Sequence, residues 1–201
     1  MSGTMPTAAR IAAILWLAVY IPVYAQAYGA LHFLQLCDLG VLLASLGVLT
    51  DNRLLLSAQA LGAPAIGLLW LADLGWTALS GHSLHGGTAY LWDQSVTAAA
   101  RVLSLFHLVL PVLLVLYLRR RGYDPRALPL QTAVAAGAIG LSWWLGGAQN
   151  LNYVNAWPNR GIVLDGVPAA HAFASWLLLC LAVYLPTHLL WQRLFTTATL
   201  R

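Results

Sequence analysis

The sequence contains no lysine and no glutamate: its ten basic residues are all arginine and its six acidic residues all aspartate. Neither a Schiff-base nor a phosphate-loop lysine is available, and there is no glutamate base. Any acid, base or nucleophile must come from Asp, His, Cys, Ser, Thr, Tyr or water. Charge is scarce, at 8% of residues, which leaves too little polar surface to wrap a water-soluble domain of 201 residues. There are two cysteines, Cys37 and Cys180, both inside apolar runs, so no disulfide framework is expected. No short apolar core with a small-residue cleavage site stands out, and the first apolar stretch reads as a retained helix. No internal repeat is visible, so the inverted-repeat design of many transporters has no support. What is abundant is hydrophobicity, 60% of residues with a mean hydropathy of +0.74. These features predict an all-α integral membrane protein, one polytopic domain over residues 1–201.

Apolar stretches of bilayer-crossing length run over residues 8–28, 31–49, 54–79, 95–118, 129–147 and 169–195, predicting six transmembrane helices. With a cytoplasmic N-terminus, Arg10, Arg53, Arg119, Arg120, Arg121, Arg126, Arg193 and Arg201 collect on the inner side. Arg160, with Arg101 at a helix start, is left outside. The positive-inside rule therefore puts both termini in the cytoplasm. The same placement at helix ends assigns the +4 net charge to topology and anionic headgroups rather than to nucleic acid. Trp16, Trp70, Trp76, Trp92, Trp157, Trp176 and Trp191 read as interfacial anchors.

An ionisable group at membrane depth is costly unless it faces a partner or a wet cavity, which makes Asp38, Asp73, His107 and His188 the candidates for a polar site. Counted at about 1.5 Å per helical residue, Cys37, Asp38 and Asp73 share a level below the outer face, and His107 forms the floor. His188 lies deeper. One cavity is expected to collect Cys37 as thiol nucleophile, His107 as its base, and Asp38 or Asp73 as the carboxylate that orients the imidazole. Ser104, one turn before His107, and the amide-rich Asn150 and Asn152 are candidate substrate contacts, as is His188. Each has a plainer reading as a helix or loop contact. Metal ligation is not expected, since none of the intramembrane Asp and His residues pairs at helical spacing, and His82 and His85 sit in a Gly-rich loop. Nothing calls for a cofactor.

Two resemblances follow from these residues. Cys37-Asp38, Trp70-Leu-Ala-Asp73, Leu103-Ser-Leu-Phe-His107, the segment from Arg121 to Leu128 with Gln131-Thr132, Asn150-Leu-Asn-Tyr-Val154 and Tyr184-Leu-Pro-Thr-His188 together resemble an uncharacterised family of small bacterial multi-pass membrane proteins. That resemblance implies a bacterial inner membrane and no particular activity. More loosely, Leu36-Cys37-Asp38 with His107 is similar to the intramembrane hydrolases and acyltransferases grouped around ADTRP and the YwaF-like proteins. It implies a nucleophile in one helix working with a histidine in a later one. The expected function is hydrolysis or transfer of an acyl group on a lipid or amphiphile, with membrane lipids as partners. The alternative is a transporter or binding protein that uses Asp and His for protons or a solute.

Overall fold

The computed structural model describes residues 4–145, 149–155 and 168–196, and every regular element among them is helical. In chain order these are α1 (Thr7–Tyr28), a 3₁₀ turn (Ala30–Leu34), α2 (Leu36–Leu49), α3 (Arg53–Ser80), α4 (Ala98–Leu103), α5 (Phe106–Arg121), α6 (Ala127–Leu145), α7 (Pro168–Leu178) and α8 (Leu185–Trp191). Wider π turns over Leu179–Tyr184 and Gln192–Thr196 precede and follow α8. Thr7–Tyr28, Arg53–Ser80, Ala98–Arg121, Ala127–Leu145 and Ala169–Phe195 are each long and apolar enough to cross a membrane. The sixth pass, α2, has 14 residues and spans only about 21 Å, because the backbone turns extended at Gln35 and splits the apolar run 31–49 in two.

The polarity of the bundle is inverted relative to a soluble protein. Leu15, Leu68, Leu79 and Val102 point outward, whereas Asp38, Gln59, Asp73, Ser104 and Gln131 are buried. An apolar exterior of this extent is what a lipid-facing surface requires. The long α3 lies at the centre and packs against α2, α5 and α6. Small residues permit the closest approaches. A Cβ on Gly67 would collide with the His107 carbonyl oxygen and lie 2.9 Å from Pro111 Cγ.

Prolines inside the helices free carbonyls that must be satisfied elsewhere. Pro64 has no N–H for the Ala60 oxygen, and the Trp191 indole donates to that oxygen at 2.8 Å. Trp191 is therefore a core residue rather than an interfacial anchor. So is Trp70, which is buried and donates to Tyr90 Oη, and Trp176 donates to the Thr132 carbonyl. Trp76 and Trp92 are exposed, and Trp157 lies outside the described residues.

One end of the bundle gathers charge. Asp51 accepts from the Met5 backbone N–H and pairs with Arg121 at 2.9 Å, while Asp124 pairs with Arg126 at 2.8 Å and with Arg53 at 3.9 Å. Tyr123 also hydrogen-bonds His188 at this end. Hydrogen bonds from Arg126 hold the Asp124 carboxyl below its ordinary range. A depressed folded-state value stabilises above the unfolded carboxylate pKa of about 3.9, and that stability is lost as pH falls through the folded value. The thermal midpoint of purified protein should therefore fall below about pH 4, and Asp124→Asn should make that decline shallower. An unchanged slope would show that the ion pair does not contribute.

Candidate active site: a thiol and an imidazole at one buried cavity

His107 is placed by a break in its helix. At residues 104–105 the ladder tightens: Leu108 N–H bonds to Leu105 instead of to Ser104, which frees the Ser104 carbonyl. That oxygen accepts the His107 backbone N–H at 3.1 Å and also meets the ring Nδ1 at 2.9 Å. A carbonyl only accepts, so Nδ1 carries the proton and Nε2 keeps its lone pair. The ring stacks with Trp70, parallel at 5.1 Å, and with Phe106 at 4.1 Å. The imidazole is thus fixed in tautomer and in plane.

Cys37 is placed by the N-terminus of α2. Gln35 gives that end no side-chain cap; Asn152, more than a hundred residues later, supplies one. Its Oδ1 accepts the Leu36 N–H at 2.8 Å, and its Nδ2 donates to the Leu34 carbonyl and to Ser142 Oγ, both at 2.8 Å. Its own N–H donates to Gln35 Oε1 at 2.7 Å. Asn152 holds this clamp at φ 53°, a left-handed conformation that asparagine tolerates better than most residues.

Cys37 and His107 line the same cavity, together with Gln59, Gln131 and Tyr184. No known protein family, curated protein or solved structure matches the chain. The reading of the site therefore rests on its geometry. The cavity volume is about 30 Å³, and a water needs roughly 10–15 Å³ of such space, so it holds two waters or one small polar group. An acyl chain does not fit inside it.

The expected carboxylates are elsewhere. Asp38 turns from the cavity towards α1, accepting from Tyr20 Oη at 2.6 Å, with His32 Nε2 3.1 Å from its other oxygen. Its link to the site is the Cys37 thiol, which donates to Oδ1 at 3.8 Å. Asp73 does not join the cavity either, contrary to the shared depth read from the sequence. Its two oxygens accept from Ser83 Oγ, the His85 N–H and both the N–H and hydroxyl of Thr88, all at 2.6–3.1 Å. Depth fixes a level along the helix but not the side of the helix a residue occupies. Neither aspartate touches His107, and the orienting acceptor is the Ser104 carbonyl instead.

The remaining candidates lie outside the cavity lining, each in its own hydrogen bonds. Ser104 is fully buried; its hydroxyl bonds Tyr24 Oη at 2.8 Å and donates to the Ala100 carbonyl. Asn150 accepts from the Asn155 N–H, and Asn152 clamps α2. His188 bonds Tyr123 Oη at 2.7 Å near the Arg-rich end, away from Cys37. His85 bonds the Leu69 carbonyl and the Gly87 N–H through its two ring nitrogens, and no metal-holding cluster forms among the described residues. His32, Tyr20 and Gln59 escaped the sequence reading, and Gln131 and Tyr184 entered it only as part of resemblance motifs. The two glutamines were detectable as amides within apolar stretches, whereas the tyrosines carried no signal beyond their burial.

Asp73→Asn is expected to unfasten the loop 81–88 without touching Cys37. Hydrogen bonds to a charged group contribute about 1.5–3 kcal/mol each, so a loss of about 2–4 kcal/mol in stability is expected, with faster amide exchange at residues 83–88. Loss of Cys37 reactivity with the loop intact would instead return Asp73 to the site.

Proposed function

We propose that the protein is an intramembrane thiol enzyme that hydrolyses or transfers an acyl group. The observation that carries this is that Cys37 and His107, on different helices and far apart in sequence, line one cavity, with the imidazole held so that Nε2 is unprotonated. In the reaction Nε2 takes the Cys37 proton and the thiolate attacks the acyl carbonyl carbon. The imidazolium then protonates the departing group. Asp38, fixed by Tyr20 and His32, holds the resting thiol.

The small cavity admits the carbonyl end of the substrate, and the chain lies among lipid-facing side chains. An apolar cleft of about 370 Å³ between α6 and α7, lined by Ile139, Trp143, Phe173 and Trp176, supports an acyl substrate. Ile139 and Trp176 pack in one cluster with Leu36, which also lines the Cys37 cavity. The transport alternative would draw on Asp38, Asp73 and His188, and these sit in three separate hydrogen-bonded groups. The test is to incubate purified protein with 4-nitrophenyl octanoate and locate the acyl group by peptide mass spectrometry. Acylation at Cys37 supports the reading; turnover with Cys37 never modified and dispensable sinks it.

The reading includes a topology in a bacterial inner membrane with the Arg-rich end cytoplasmic. Arg126 is well exposed at that end. Arg126→Cys should resist an impermeant maleimide in intact cells and react after permeabilisation, beyond the background of Cys37 and Cys180. Labelling in intact cells would invert the assignment.

A further inference from the structure

We infer that Tyr184 and the Gln59–Gln131 amide pair bind the acyl carbonyl oxygen and stabilise the oxyanion formed when Cys37 attacks; this rests on the thiol-enzyme reading above. While α2 and α5 bring Cys37 and His107 to the cavity, α3, α6 and the π turn before α8 bring a set of hydrogen-bond donors. Tyr184 is 0% exposed, yet its hydroxyl has no hydrogen-bond partner among the described residues. The Gln131 side chain adjoins it. Buried hydroxyls are nearly always paired, and an orphan lining a cavity points to a ligand.

The amide pair has donors to spare. Gln59 Nε2 donates to Gln131 Oε1 at 3.2 Å, and both residues are buried. Each primary amide carries a pair of N–H hydrogens, and one hydrogen suffices for their mutual bond. Exchanging O and N on both amides leaves the same surplus.

Local backbone irregularity aims these groups. Pro186 offers no N–H, and the preceding Leu185 N–H bonds five residues back to Cys180, which makes the wide turn that ends at Tyr184. Gly62 gives the ring its place: a Cβ there would lie 3.2 Å from Tyr184 Cε1. Neutral donors fixed in a small cavity stabilise developing negative charge without reorganising. The ligand class is the carbonyl of an ester or thioester. As the C–S bond forms, the carbonyl π pair moves onto oxygen, which the Tyr184 O–H and an amide N–H then hold. Collapse expels the alcohol or thiol leaving group with the proton held by His107.

Two probes of Cys37 separate this role from a structural one. Acylation by 4-nitrophenyl octanoate passes through an oxyanion, whereas alkylation by N-octyl iodoacetamide displaces iodide and forms none. Tyr184→Phe and Gln131→Leu should each slow acylation by about 10²-fold, while alkylation stays within about twofold of the parent, since it follows thiolate availability alone. An equal loss in both reactions would make these residues structural, and unchanged acylation would remove them from the site; either overturns the inference with Cys37 still the nucleophile. Wild-type ester turnover in Cys37→Ala would bring down the thiol reading and this inference together.

Discussion

Cys37→Ala is expected to leave no acyl group on the protein after incubation with an activated ester, and His107→Ala to slow acylation by about 10²–10⁴-fold, the range a positioned base contributes. The His107 effect should depend on pH. A free thiol has a pKa near 8.5, so raising the pH supplies thiolate without a base and the variant's rate should climb towards that of the parent. If His107 only packs against Trp70 and Phe106, its removal would lower the rate by the same factor at every pH. Cys180→Ala should behave as the parent, since Cys180 is outside the cavity lining. Intact-protein mass spectrometry over a time course measures all three. Full acylation of Cys37→Ala would exclude the covalent mechanism.

Asn152→Ala is expected to cost about 4–5 kcal/mol. Three side-chain hydrogen bonds vanish at about 1 kcal/mol each, and alanine must then hold a left-handed backbone at a cost of about 1–2 kcal/mol. The Leu36 N–H loses its cap, so the first turn of α2 should fray and Cys37 acylation should fall as well. Asn152→Asp keeps an acceptor for that N–H and places negative charge at a helix N-terminus, so it should recover part of both losses. Unfolding in mixed micelles measures the stability. A change under about 1 kcal/mol would mean the clamp is not what organises residues 34–36.

Five of the six expected passes were legible because each depends on a long apolar run, and residues 53–80 show the agreement to within a residue at either end. The interruptions were not. At Gln35 no glycine or proline marks the break, and its stabilising partner is Asn152 in a distant loop. The turn at residues 104–105 is likewise unmarked, and it supplies the carbonyl that orients His107. Of the candidate site, the placement of Cys37 and His107 at one cavity was legible, since a thiol and an imidazole stand out within apolar helices. Asp73 was misplaced because a carboxylate that binds loop amides looks the same in sequence as one that faces a substrate. Its partners, Ser83 to Thr88, are ordinary loop residues.

The bond between the Trp191 indole and the Ala60 carbonyl joins residues 131 positions apart. During synthesis the third helix is made with that oxygen bare, and it stays so until residue 191 has followed. The Leu36 N–H waits in the same way for Asn152. The helix that carries Cys37 is therefore organised only once residue 152 has been made, and nascent chains halted before it should present Cys37 unclamped and without Tyr184.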